Sequence, residues 1–441
     1  MKYYCIGIKG SGMATLAEIL YDLGNKVSGY DDYKEYKFTQ EGLDKRGIRI
    51  FNDSNHEVDK DTIVTYSKAF SKDHPEIKRM KKDKIKFVEY NDLLGKISEI
   101  FKTIGVSGTH GKTTTATMIS HVLKNSKGCN YFIGDGTGFA SNKNKLFVLE
   151  SCEYKKHFLS YKPSYAVVTN IELEHTECYK DINEIIKTFE KFASKAKKVA
   201  ACGDDLNVRK MKLKNEVIYY GFNDDNDVVC KNLKLTKEGS EFDVYINNKF
   251  YDHYKLPLYG KHMVLDALAC ITICNLENVA KKDIHNSLLT FENAKRRFKE
   301  KEFGSIVTID DYAHHPTEIK MTLESAKQKY KDKEIVAVFL PNTYSRTKAL
   351  MDDFVESLKI ADKAYIMDIY CDREKQEDYP GIASDKLIEK IPNSEKISIE
   401  TVDKLFKHTN AAVCFMSCTN IYEILNKYED SLKEQMKIRS R

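Results

Sequence analysis

At 441 residues, 41% apolar and 31% charged, the chain is too long for one ordinary core and too apolar to be a disordered chain; two or three domains are expected. A net charge of +5 over that length argues against a dedicated nucleic-acid surface, and the most basic stretch, 78–86, has no interleaved aromatics and reads as a solvated segment. Eleven scattered cysteines without a C-x-x-C pair point to free thiols rather than to disulfides or a structural zinc site, and no apolar run reaches membrane-spanning length. The sequence opens on the strand-like KYYCI with no leader pattern, so a soluble cytoplasmic protein is expected, with no membrane, nucleic-acid or obligate protein partner.

Residues 1–98 alternate short apolar runs with helical patterns: YYCIGI, a helix over 13–23, KVSGY, a helix near 39–46, then TIVTYS. That rhythm predicts a parallel sheet with crossover helices. The first turn, Gly7-Ile8-Lys9-Gly10-Ser11-Gly12, opens a helix and suits a diphosphate. Lys9 stands where the strict dinucleotide fingerprint has its middle glycine. Asp31, near the end of the next strand, is placed to meet a ribose hydroxyl. A nicotinamide dinucleotide and a nucleotide-sugar diphosphate both fit these residues.

Residues 99–297 begin with IGVSGTHGKTTT (104–115). An apolar strand leads into Gly108, Thr109, His110, Gly111, Lys112, Thr113 and Thr114, and a helix follows through 116–123. Glycines free backbone amides to wrap phosphate oxygens. Lys112 can reach the β- and γ-phosphates, and Thr113 can put a hydroxyl on Mg²⁺. The general phosphate-loop pattern has a glycine where Val106 stands, so this is a variant loop. The buried strands LFVLE (146–150) and YAVVTNI (165–171) follow. Their C-terminal ends would bring Glu150 and His175 beside Thr113, as magnesium ligands or as their neighbours. His175, Glu177 and Cys178 match no usual zinc spacing, and the start of a helix explains them more simply. A polar, strand-like part occupies 216–258.

From 298 onward the strands IVTIDD, IVAVFL, AYIMDI and AVCFM alternate with helices, a third small α/β domain. The loop 310–318 carries Asp310, Asp311, Tyr312, His314 and His315, with Pro316 suited to a first helical turn. An acid there can hold a ribose, and a histidine can approach a phosphate or a reacting carboxylate. Arg346, after the next strand, is a candidate for bidentate carboxylate binding.

Taken together, GIKGSGM (7–13), GTHGKTTT (108–115), IGDGTG (133–138), ESCEYKKHFLSYKP (150–163), TNIELEH (169–175), YGKHMVLDALA (259–269), AKRRF (294–298), DDYAHHPTE (310–318) and YSRTK (344–348) resemble the Mur ligases, ATP-dependent amide-forming enzymes of cell-wall precursor synthesis. The resemblance runs in order along essentially the whole chain. It implies three α/β domains: a Rossmann-like UDP-sugar domain (1–98), a central P-loop ATPase-type domain (99–297) and a Rossmann-like domain that closes over the site and helps hold the amino acid (298–441). It implies ATP and Mg²⁺, with UDP-N-acetylmuramate and L-alanine as substrates. Ser11, Gly12 and Met13 would hold the diphosphate of the UDP-sugar; Lys112 would contact phosphate; Thr113, Glu150 and His175 would serve the metal. Asp266 would lie near the adenine, Arg297 and Asp311 near the ADP moiety, and His314 and Arg346 near the amino acid. Asp266, Glu174, Asn342 and the run Ser417-Cys418-Thr419-Asn420 depart from the family pattern, where an asparagine, an aspartate, a histidine and a glycine-rich turn are usual. A non-catalytic nucleotide-binding relative that regulates wall synthesis is the alternative.

Overall fold

The computed structural model describes residues 1–67, 70–175, 178–294, 296–371 and 374–439; Glu177 and Lys295 lie outside them. Three parallel-rich α/β sheets follow one another along the chain. They fall into two compact units: 1–232 with 242–255 and 264–292, and 293–441 with 233–241 and 256–263.

The first sheet has the order Arg49–Phe51, Lys26–Tyr30, Lys2–Ile6, Thr62–Tyr66, Lys86–Phe87, every pairing parallel. The chain therefore leaves Lys2–Ile6 at the point where strand order reverses, where open α/β sheets hold ligands. The turn 7–12 lies there. Gly7 has φ +80°, and a Cβ on it would stand 2.8 Å from the Phe70 ring, so glycine is required. The helix Ser11–Asp22 follows and buries Met13, Leu16, Ile19 and Leu20, an apolar stripe at helical spacing. Two edge strands, Arg49–Phe51 and Lys86–Phe87, were not expected from the pattern; three and two residues are too few to show a period.

Through the middle of the second sheet run Lys198–Cys202, Tyr165–Val168, Lys102–Ser107, Leu146–Glu150 and Cys129–Ile133, all parallel, with Thr137–Phe139 antiparallel at one edge. Glu216–Gly221, Val228–Thr236, Gly239–Ile246 and Lys249–Leu256 continue the order on the other side and are the expected polar strands. The near-continuous apolar runs of the middle strands are buried on both faces, as a helix-covered parallel sheet demands. The helix Ile182–Ala193 supplies part of that cover, and its Phe192 stacks on Phe158 with ring centroids 4.6 Å apart.

In the third sheet the order is Lys299–Phe303, Ile306–Asp311, Ala411–Met416, Glu334–Phe339, Lys363–Ile366, Ser394–Lys396, parallel but for the first pair. Register places Asp311, Met416 and Phe339 abreast, so the loops after these three strands start side by side. The helix Pro316–Lys329 begins with Pro316 in its first turn and a capping box between His315 and Glu318. All eleven cysteines are free thiols, eight of them with raised pKa through burial. Among the described residues no helix is long and apolar enough to cross a membrane.

Candidate active site

The strand Lys102–Ser107 delivers the chain to the loop 108–111, and the helix Lys112–Ser126 takes it away. Gly111 caps that helix in the left-handed region, φ +79°, and a Cβ on it would stand 2.9 Å from Asp266 Oδ1. A Cβ on Gly108 would stand 1.8 Å from the Thr169 hydroxyl. Both glycines are there because a neighbour occupies the space. No acid sits in the first turn of the helix, and its positive dipole end faces the loop, which favours an anion there. Val106 is fully buried inside the strand, opposite Val167 on one side and Glu150 on the other. The glycine of the general pattern has no turn to make at that position.

The loop is clamped from the adjacent strand. Thr169 Oγ1 and Asn170 Nδ2 both donate to the His110 carbonyl, at 2.6 and 3.0 Å. The His110 amide donates to Asn170 Oδ1 at 2.8 Å, and the Glu172 amide to Thr109 Oγ1 at 2.8 Å. The expected strand over 165–171 stops at Val168: the Thr169 amide still donates to the Ser107 carbonyl of the neighbouring strand at 3.0 Å, and Asn170 already bonds to the loop. His175 has a left-handed backbone, φ +55°, and its carbonyl accepts from the Cys178 and Tyr179 amides. The helix expected to begin there starts at Ile182, with Asp181 as its cap.

Lys112 Nζ donates to the Gly108 carbonyl, to the Thr109 carbonyl at 2.8 Å, and to Glu153, whose Oε2 is 3.0 Å away. His175 Nε2 stands 3.5 Å from Glu153 Oε1. Burial works against the charge on both Lys112 and Glu153. Their mutual attraction overrides it, helped at Glu153 by His175, so the ammonium is held above its usual range and the carboxyl below. Thr113 Oγ1 donates to Glu150 Oε1 at 2.9 Å, and the Gly134 amide to Glu150 Oε2 at 2.6 Å. Two oxygens 2.9 Å apart have the spacing of neighbouring ligands on an octahedral ion bound at about 2.1 Å. A hydroxyl, a carboxylate and a nearby imidazole thus fit Mg²⁺. The structure joins Thr113 directly to Glu150, and reaches His175 through Glu153 and Lys112. Asp266 is buried and accepts from Thr115 Oγ1 at 2.7 Å, on the helix behind the loop.

The first glycine turn connects to this site within the same unit. Ser11 and Gly12 open the helix, half-buried, and Met13 is buried. Asp31 Oδ2 accepts from the Lys9 amide at 2.9 Å and so braces the turn, while its Oδ1 takes the Tyr33 amide of its own segment at 3.0 Å. Gly12 packs on Tyr90, whose hydroxyl would lie 2.7 Å from a Cβ there, and Phe132 is beside it. Thr15 Oγ1 reaches the Ile133 carbonyl at 3.4 Å, and the next residue, Gly134, holds Glu150. The segment 132–134 therefore links the two phosphate-type turns.

The remaining predicted residues lie in the other unit. Asp311 accepts from the Phe298 and Ala313 amides, both at 2.8 Å, and Arg297 Nη1 stands 3.6 Å from Glu318 Oε1. His314 Nδ1 is 2.9 Å from Glu318 Oε2, and Arg346 Nη1 donates to the Asn342 carbonyl at 2.8 Å. Arg297 and Tyr312 face one another, ring centroid to guanidinium 5.2 Å. Burial pushes the Asp311 carboxyl up to about 6, against the pull of Arg297 and the two amides. A pKa raised by folding means that the protonated acid stabilises the fold: its contribution is complete below pH ~4 and lost as pH rises through about 6. Denaturant titrations of the wild type and of Asp311→Asn should therefore diverge between those pH values, the wild type losing ~2 kcal/mol relative to the variant. A stability difference that stays flat across that window would contradict the assignment.

Sequence reasoning missed Glu153, Thr169, Asn170 and Tyr90. Glu153 sat inside the quoted ESCEY, three residues from Glu150, and that repeated acid was the available signal. Thr169 and Asn170 opened the quoted TNIELEH without a role, and nothing in the sequence marked Tyr90.

Three family models match the chain in succession: "Mur ligase family, catalytic domain" over residues 2–102, "Mur ligase middle domain" over 106–274 and "Mur ligase, glutamate ligase domain" over 296–414. The UDP-N-acetylmuramate-alanine ligase MurC of Thermotoga maritima superposes with a TM-score of 0.80 at 25% identity, over 99% of this chain and 100% of that one. A pseudomurein peptide ligase type C of Methanothermus fervidus superposes with a TM-score of 0.67 at 17% identity, over 99% of each chain. The MurF ligase of T. maritima, solved in complex with ADP, gives 0.67 at 16% identity, over 86% of this chain and 96% of that one. The last two likenesses speak for the fold alone.

Proposed function

The chain belongs to the Mur ligase family, ATP-dependent amide-forming ligases of peptidoglycan synthesis, and from that premise we propose that it joins L-alanine to the lactyl carboxylate of UDP-N-acetylmuramate in the cytoplasm. The observation that carries the proposal is the link between the two phosphate-type turns. Gly12 rests on Tyr90 and Phe132, and two residues further on Gly134 grips Glu150, which meets Thr113 of the second turn. A sugar diphosphate at Ser11, Gly12 and Met13 and a triphosphate at 108–114 would thus approach one another across a single short segment. A Rossmann oxidoreductase has no use for the second turn.

In this reading the lactyl carboxylate attacks the γ-phosphorus of ATP, giving an acyl phosphate and ADP. The neutral amine of alanine then attacks the acyl carbon, and phosphate leaves. No protein nucleophile is required. Lys112 neutralises charge that develops on the transferring phosphoryl oxygens, and the amides of 108–114 orient the chain of phosphates. Mg²⁺ bound at Thr113, Glu150 and His175 would supply further charge neutralisation. Arg297 and Asp311 at the ADP moiety, Asp266 near the adenine, and His314 and Arg346 at the amino acid complete the proposal; family resemblance carries these, as it does the domain limits 1–98, 99–297 and 298–441.

The test is phosphate release by the purified protein with UDP-N-acetylmuramate, ATP, Mg²⁺ and a panel of amino acids. Release should require all four components and be fastest with L-alanine. A preference for glycine or serine would move the substrate while keeping the reaction class. ATP binding with no turnover on any amino acid would favour a regulatory relative instead.

A further inference from the structure

We propose that Glu153 is a positioning residue for phosphoryl transfer, a single buried carboxylate that holds the Lys112 ammonium and the His175 imidazole at the nucleotide loop together. The proposal deepens the ATP-site reading above and rests on it. Glu153 is 3% exposed. Its Oε2 lies 3.0 Å and its Oε1 3.2 Å from Lys112 Nζ, while Oε1 is also 3.5 Å from His175 Nε2. The ammonium has three protons to donate, and the carbonyls of Gly108 and Thr109 take the other directions. The lysine, which swings on a four-carbon stem, is thereby fixed against its own loop before any nucleotide arrives.

The backbone that carries this carboxylate is anchored from behind. The Tyr179 hydroxyl donates to the Glu153 carbonyl at 2.5 Å, and the Lys156 amide donates to the same oxygen at 2.8 Å. Lys155 and Lys156 take left-handed backbone angles, φ +49° and +60°, and this bend drops Phe158 into the core against Phe189 and Phe192. The two acids of ESCEY thus divide the site. Glu150 faces the Thr113 hydroxyl and the Gly134 amide; Glu153 faces the cation and the histidine.

A role exercised mainly through Lys112 differs from a merely structural one in losing most of its effect once Lys112 is gone, what remains passing through His175. ADP affinity in the presence of Mg²⁺, measured by calorimetry on the full chain, gives the four corners of the cycle: wild type, Glu153→Gln, Lys112→Ala and the double variant. Glu153→Gln is expected to weaken ADP about tenfold in the wild-type background and less than about twofold when Lys112 is already alanine. Losses that simply multiply would make Glu153 a structural residue and overturn the proposal, as would unchanged affinity in Glu153→Gln. A wild-type chain that binds no ADP would overturn the ATP-site reading and this proposal with it. Should Glu153→Gln fail to fold, Glu153→Asp keeps the charge and withdraws it by one methylene. It is then expected to weaken ADP by a smaller factor and to lose most of that effect on Lys112→Ala.

Discussion

Lys112→Ala should lower phosphate release by about a thousandfold or more while leaving UDP-N-acetylmuramate affinity within about twofold of wild type. The first half follows from where the charge develops. An ammonium aimed at the transferring phosphoryl group stabilises the transition state more than the bound nucleotide, and removal of one such preorganised donor costs about 3–4 kcal/mol of barrier. The second half follows from position: the diphosphate turn at Ser11, Gly12 and Met13 belongs to a different sheet and makes no bond to Lys112. Stability should fall as well. The variant strands Glu153 in the interior, and breaking a buried pair from one side typically costs about 3–5 kcal/mol. His175, 3.5 Å away, and protonation of the acid both reduce that figure. Retained UDP-sugar binding is thus the control that separates lost chemistry from lost fold. Near-normal turnover would reject the phosphate role of Lys112 outright.

The features legible in the sequence were those set by local chemistry. The glycine turns at 7–12 and 108–111 announce themselves because a left-handed backbone or a crowded Cβ position admits little else, and Gly7, Gly108 and Gly111 all meet that description. The central strands were readable as unbroken apolar runs because both faces of their sheet are covered. Glu150 followed from the rule that ligands gather at the carboxyl ends of such strands, and register puts it opposite Val106, two residues before Gly108. What escaped depends on contacts between segments far apart in the chain. Thr169 and Asn170 look like the last residues of a strand until the loop they clamp is in view, and their hydrogen bonds span about sixty residues. Tyr90 opens the helix Tyr90–Ile100, and its role, to sit under Gly12, depends on a residue seventy-eight positions earlier. Asp31 stands at the strand end where the pattern placed an acid, and there one of its oxygens takes the Lys9 amide of the turn and the other the Tyr33 amide.

Glu150→Gln is expected to raise the Mg²⁺ concentration needed for half-maximal phosphate release by about tenfold or more and to leave turnover about a hundredfold low at saturating Mg²⁺. The substitution keeps the shape of the side chain, removes its charge and turns one of its two acceptor oxygens into a donor. The amide oxygen can still accept from Thr113 Oγ1 while the bond from the Gly134 amide is given up, so the contact to the loop survives and the loss at the metal is mainly electrostatic. Mg²⁺ holds its waters tightly and is bound through one or two carboxylates together with substrate phosphates, so without its carboxylate the protein's own share of the site is reduced to neutral donors. His175→Ala should give a smaller rise, because an imidazole contributes no charge and Glu153 remains to hold Lys112. The two variants therefore rank the donors: a magnesium titration unchanged in Glu150→Gln would remove the carboxylate from the metal site. A shift in Glu150→Gln with none in His175→Ala would leave Thr113 and Glu150 as the pair that binds the ion, with His175 serving Glu153 alone.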